Sequence, residues 1–182
     1  MQLRHALSFD TAAASGIQLR RLGPADAATF QYLRLQALRE DPIAFATSYA
    51  AERDTPLDTV ARRITPGTDR SIVGAFDGRG LVGVAAWHRE EHRAMRHTGF
   101  VWGVFVKPTH RGRGLGRRLI DAIIFLARQA DDIVALDLTA YSHNTAAIAL
   151  YESMGFVAYG RERAATCIDG RWHEDVRMAL RL

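Results

Sequence analysis

Cysteine is nearly absent: the chain has one, Cys167, among 182 residues. A lone thiol excludes an internal disulfide, and without a second cysteine there is no CxxC pair to hold zinc or to cycle between redox states. Cys167 is expected to be a small buried or half-buried filler, because a nucleophilic thiol needs a His or a helix start beside it to lower its pKa. Long apolar runs are also missing. No stretch reaches the roughly 20 apolar residues that span a bilayer, and Met1 to Gly16 lacks a continuous apolar signal-peptide core, so a cytoplasmic chain is expected. There is no low-complexity tract, and disorder should be confined to the ends.

What is present is an ordinary globular composition, 48% hydrophobic and 24% charged, with one local excess of charge. The length suits one domain, with a core large enough to need neither disulfide nor metal. That domain is expected over residues 17–182, behind a flexible arm over 1–16 that ends in Ala12 to Gly16. The formal charge is +4, yet Lys107, Arg111, Arg113, Arg117 and Arg118 place five cations in one segment free of Asp and Glu. Binding to nucleic acid favours a basic face gathered from many segments, whereas charge focused on one loop suits a discrete phosphorylated ligand.

That loop runs from Val106 to Arg118 and carries Gly112, Gly114 and Gly116 at alternating positions. Glycine bares the backbone N–H groups, and the helix expected after it adds the positive end of its macrodipole, so an anion is the natural occupant. Around the loop, alternation predicts a strand at Ile17–Leu22; apolar runs bounded by turns predict a strand hairpin from Ile72–Phe76 and Leu81–Trp87, strands at Gly99–Val106 and Ile133–Ala140, and a last pair, Val157–Cys167 and His173–Leu180, about Asp169–Gly170. Helical spacing predicts helices from Pro24 to Leu38, from Asp58 to Ile64, from Leu115 to Leu126 and from Asn144 to Met154, the last ended by Gly155. Phe45 and Tyr49, between them, read equally as packing and as one wall of a substrate site. The sum is an α/β or α+β sheet with helices on both faces.

Spacing excludes the two commonest phosphate loops. A P-loop needs GxxxxGK and then Ser or Thr, but Gly116 is followed by Arg117 and Arg118; a dinucleotide fingerprint needs GxGxxG near the first strand with an acidic residue about 20 positions later, and this run is GxGxG past mid-chain. The pattern Val106, Pro108, Arg111, Gly112, Gly114, Gly116 closely resembles the acetyl-CoA motif of the GNAT family of N-acetyltransferases. A second segment, Asn144, Ala147, Leu150, Tyr151, Glu152, Gly155 and Phe156, resembles that family's NxxAxxLYExxGF helix in the expected order and distance. The resemblance covers about Gly99 to Phe156 firmly, and the closing stretch Ile168 to Asp175 looks like the family's last hairpin. It implies a mixed, mostly antiparallel central sheet splayed in the middle, with helices on both faces and the pantetheine arm of the cofactor inserted at the splay.

The resemblance also implies roles. Val104, Phe105 and Val106 would pair through their backbone with the pantetheine amides and supply an oxyanion-type contact. Arg111, Gly112, Arg113, Gly114, Leu115, Gly116 and Arg117 would wrap the pyrophosphate, with one of the three arginines in direct contact. Asn144 reads as a helix N-cap and, by resemblance, also touches the cofactor arm. Tyr151 would be the acid that protonates the departing thiolate; its plain alternative is a core tyrosine. No base is evident: Gly99 to Val106 holds no carboxylate, and Thr139 stands where the peptide-terminus branch of the family has Glu. Asp137, His97, His143 or a water chain remain open for that task. The expected function is acetyl transfer from acetyl-CoA to a small-molecule or peptide amine by direct attack, with no metal, nucleic acid or membrane partner and with a homodimer left open. A non-catalytic acyl-CoA sensor is the alternative, and a basic nucleotide-binding or nucleic-acid-binding domain is a third reading.

Overall fold

The computed structural model describes residues 16–42, 45, 47–78, 80–168 and 170–182. The expected N-terminal arm therefore lies outside the described residues except for Gly16. The elements run β1 (Gln18–Arg21), α1 (Ala27–Glu40), α2 (Tyr49–Glu52), α3 (Leu57–Ile64), β2 (Arg70–Phe76), β3 (Leu81–Arg89), β4 (Thr98–Val106), α4 (Leu115–Arg128), β5 (Ala135–Tyr141), α5 (Thr145–Glu152), β6 (Val157–Ile168) and β7 (Arg171–Arg181). The strands form one sheet in the order β1-β2-β3-β4-β5-β7-β6. Every neighbouring pair is antiparallel except β4 and β5. A parallel pair needs a long crossover, which α4 supplies.

The residues dictate this layering. Leu81 to Trp87 is buried at every position, as a strand covered on both faces must be. One face carries Val73, Ala75, Val82, Ala85, Trp87, Leu136 and Leu138 under α4, whose Leu119, Ile120, Ile123 and Ala127 are at most 0% exposed. The other face packs Ile72, Leu81, Val84 and Ala86 with α1 and α3 through Phe30, Leu33, Val60 and Ile64. Cys167 corrects the expectation of a filler: near the tip of the β6–β7 hairpin, on the outermost strand, it is exposed.

The sheet opens in its middle. β4 pairs with β5 from Thr98 opposite Ala135 to Val101 opposite Leu138. Beyond Val101, β4 stays with β3 while β5 stays with β7 as far as Tyr141. A bulge sits at the parting, where the register against β3 shifts between Val84 and Ala86, so that Gly103 and Val104 face Ala85. Gly103 takes φ +63°, the left-handed conformation that such a bulge requires. A Cβ built there meets nothing within 4 Å. Gly103→Ala is therefore expected to cost about 1–2 kcal/mol from backbone conformation alone, read as a lower urea midpoint at unchanged slope.

Candidate active site

The glycine loop leaves the far end of β4. Pro108 to His110 make one tight turn, Gly112 and Gly114 take φ +73° and +72°, and Gly114 is the N-cap of α4. The helix's first hydrogen bond runs from the Arg118 N–H to the Gly114 carbonyl at 3.1 Å. The N–H groups of Leu115, Gly116 and Arg117 thus precede any helical acceptor and point out of the helix start, as an anion site needs. Gly116 has a further reason to lack a side chain: its Cβ would lie 3.1 Å from Leu150 of α5. The two sequence motifs are therefore packed against each other.

The three arginines separate. Arg111 donates from Nε to the Val106 carbonyl at 2.9 Å and lies 5.7 Å from the Phe105 ring centre, tying the loop back to its strand. Arg117 donates to the Ser153 carbonyl and hydroxyl at 3.2 and 2.6 Å, joining α4 to the end of α5. Arg113 has no such protein partner among the described residues.

On α5, Asn144 is an N-cap, its Oδ1 accepting from the Ala147 N–H at 3.1 Å. Its amide NH₂ has no acceptor among the described residues, which leaves a donor group at the helix start. Tyr151 is 7% exposed and packs on Phe156 with ring centres 5.9 Å apart. Burial pushes its hydroxyl up to about 12, so it holds its proton firmly.

On the face of α1 to α3, a cleft of about 1080 Å³ opens toward the parting of the sheet. Its floor includes Phe100, Trp102 and Gly103 of β4 and Thr139 and Tyr141 of β5. Its inner wall holds Glu52, buried, with Arg63 Nη1 at 2.9 Å and Arg34 Nη2 at 3.8 Å. Arg34 stands 4.7 Å over the Phe45 ring, and burial lowers its pKa despite the neighbouring Glu52. Phe45 is thus both a core residue and part of the cleft wall, whereas Tyr49 opens α2 and meets Arg39.

The candidate bases separate as clearly. Thr139 lines the cleft, and Asp137 shares its strand face, but Asp137 sits in the closed ladder opposite Phe100 and Ala179. Burial, reinforced by Glu90, raises the Asp137 carboxyl. His97 is exposed just before β4, and His143 is exposed with its ring 5.8 Å from Tyr141 and 5.9 Å from His173. None of these three is among the residues that line the cleft. Asp175 does line it, and sequence reading did not single it out. Alternation along β7 was its available signal; that β7 lies beside β5 was not legible locally.

Fold and site together define an α/β protein whose split sheet joins a loop of free backbone donors to an aromatic and charged cleft. The acetyltransferase (GNAT) family model matches residues 35–156, and the chain belongs to that family. It is similar to L-2,4-diaminobutyric acid acetyltransferase of Nocardia farcinica, 40% identical over 101 residues, which are 55% of this chain and 46% of that protein. It is also similar to the L-amino acid N-acyltransferase MnaT of Escherichia coli, 36% identical over 87 residues, covering 48% of this chain and 49% of that one. The chain thus spans about half the length of these curated relatives. Among solved structures, yncA of Salmonella typhimurium, crystallised with acetyl-CoA, shares the fold at a TM-score of 0.77 and 23% identity, over 91% of this chain and 93% of that one.

Proposed function

We propose that this protein transfers the acetyl group of acetyl-CoA to a primary amine by direct attack, with Tyr151 as acid to the departing thiolate. The observation that carries the reading is the parting of β4 from β5 after Val101 and Leu138. Among the described residues it leaves one edge of β4 without a strand neighbour, between a cleft and the N–H groups of the helix start. A peptide-like arm ending in a pyrophosphate fits such an edge, because strand addition satisfies backbone donors and acceptors that would otherwise stand open.

In this reading Val104, Phe105 and Val106 offer their backbone to the arm, and Gly112 to Arg117 hold the pyrophosphate. Arg113 is the arginine of the three that reaches a phosphate, since Arg111 and Arg117 are held by backbone carbonyls. Asn144 keeps its cap and turns its amide donors to the arm. The bound donor supplies an activated thioester whose carbonyl carbon accepts the amine. Tyr151 keeps its proton at every working pH and gives it to the sulfur as the C–S bond breaks.

The first test is thermal unfolding with increasing acetyl-CoA. At about 100 times the dissociation constant, binding stabilises the native state by about 2.7 kcal/mol. Arg113→Ala is expected to move the half-saturation point several-fold higher while leaving the ligand-free transition where it was. Thiol release is then followed across a panel of alkylamines, amino acids and peptides. No stabilisation by acetyl-CoA would falsify the donor assignment; stabilisation without thiol release from any amine would replace the enzyme with an acyl-CoA sensor.

A further inference from the structure

We infer that Asp175 is the general base of the proposed transfer, its carboxylate on the cleft face of β7 taking the proton that the acceptor ammonium must lose. The inference rests on the acetyl transfer proposed above and names the group that β4 and Thr139 do not supply.

The first support is an unpaired buried carboxylate. Asp175 is 9% exposed, and its Oδ1 is buried with no hydrogen-bond partner among the described residues. Glu52, equally buried in the same cleft, behaves in the opposite way: both of its oxygens accept from Arg63 Nη1, at 3.2 and 2.9 Å. Burying a carboxylate without a donor costs free energy, and such orphans concentrate where chemistry uses them.

The second support is position. Asp175 stands opposite Tyr141 of β5 and opposite Glu162 of β6. From Thr139 onward β5 is one lip of the opening, so Asp175 lies one strand, about 4.8 Å, behind that lip. It lines the same cleft as Trp102, Gly103 and Thr139. An amine entering from the cleft to reach the opening passes this carboxylate, directly or across one water.

The third support is the set of groups that face it. Glu162 comes from β6, Arg177 and His173 from β7 itself, and Tyr141 from β5. Arg177 is engaged by Glu162 at 2.6 Å, and the Tyr141 hydroxyl donates to Thr166 at 3.3 Å. Neither hydrogen-bonds the buried Oδ1 of Asp175. Burial first, and then Glu162, raise its carboxyl above the usual range, against the opposing pull of Arg177 and His173. A carboxylate shifted toward neutrality is a better base for an ammonium than an ordinary one.

The ionised Asp175 takes one proton from the ammonium, giving a neutral amine and a carboxylic acid that later returns its proton to solvent. The nitrogen lone pair forms the N–C bond, and the C–S electron pair leaves with sulfur. The second nitrogen proton goes to solvent as the amide forms, and the Tyr151 hydroxyl protonates the thiolate and is reprotonated from solvent. Since the base works only when ionised, kcat/KM falls as pH drops through the Asp175 pKa. Because that pKa is raised, the fall begins above the ordinary carboxylate range.

Asp175→Asn keeps shape and removes the base. With an alkylamine at neutral pH, kcat/KM is expected to drop about 100-fold. The acid limb set by Asp175 disappears, and the residual activity climbs about tenfold per pH unit toward the amine's own pKa. With an aromatic amine, already neutral at the assay pH, variant and parent should differ by less than about threefold. Glu162→Gln provides the second readout: removing the like charge moves the acid limb to lower pH, a shift that a merely structural Asp175 would not produce. Unchanged stabilisation by acetyl-CoA shows that Asp175→Asn is folded and binds donor. An unaltered profile with alkylamines, or an equal loss with both amine classes, overturns the role of Asp175 alone. No thiol release by the parent protein with any amine overturns the transfer itself and this role with it.

Discussion

Tyr151→Phe is expected to lower kcat by about 100-fold while acetyl-CoA stabilises the variant as well as the parent. The substitution removes one hydroxyl and little else. The ring is 7% exposed and held against Phe156 at 5.9 Å, and phenylalanine fills the same place. No described residue hydrogen-bonds the hydroxyl, so stability should change by less than about 0.5 kcal/mol. A fall in turnover would therefore report on chemistry rather than folding. Direction matters as well: burial holds the hydroxyl at about 12, so it acts as a donor and not as a base. It loses its proton only as pH rises through that value, and the parent should show no alkaline decline from Tyr151 in the neutral range. Because the proton is given as the C–S bond breaks, kcat and kcat/KM should fall together. Stopped-time thiol release at saturating donor is the measurement; unaltered turnover would remove Tyr151 from the mechanism.

The parts of this protein that were legible in its sequence are those encoded by neighbours along the chain. The Gly112–Gly116 run, the capping Asn144 and the terminating Gly155 each act within one turn, and each is where local chemistry put it. The stretch Leu81 to Trp87 was likewise legible as one arm of a strand hairpin, although its burial on both faces was not. What remained hidden depends on which strand lies beside which. β7 inserts between β5 and β6, and only that order brings Asp175 to the cleft opposite Tyr141. The arginines show the same limit: Arg111, Arg113 and Arg117 look alike in sequence, and their partners lie at Val106 and, across the α4–α5 contact, at Ser153. Cys167 departs from the filler its size suggests because it lies near a hairpin tip on the edge strand β6, where it is exposed.

Trp87→Ala is expected to destabilise the fold by about 3–5 kcal/mol. Trp87 is 2% exposed and stands opposite Val101, the last β4 residue paired with β5. Its indole occupies the space above Gly99, where an added Cβ would lie 3.1 Å from Trp87 Cε3 and 2.8 Å from Leu136 Cδ2. Gly99 has no side chain with which to refill the hole, and the flanking Ala85 is too small to reach into it. Against a total stability of about 5–15 kcal/mol, the loss is a large fraction. For a chain of this size it should lower the melting temperature by about 10 °C. Trp87→Phe separates packing from hydrogen bonding. The indole Nε1 is buried with no partner among the described residues, so phenylalanine removes an unsatisfied donor while keeping most of the ring. Its cost should stay below about 2 kcal/mol, because relief of the unpaired N–H offsets part of the lost volume. Urea unfolding distinguishes the two variants: both midpoints fall at unchanged slope, the alanine variant's much further. Equal losses would mean that the indole N–H, satisfied in solution, and not the packing of the ring, carries the stability. Since Trp87 backs the point where β4 and β5 part, the alanine variant should also need more acetyl-CoA for the same stabilisation, as the edge offered to the donor is less firmly held.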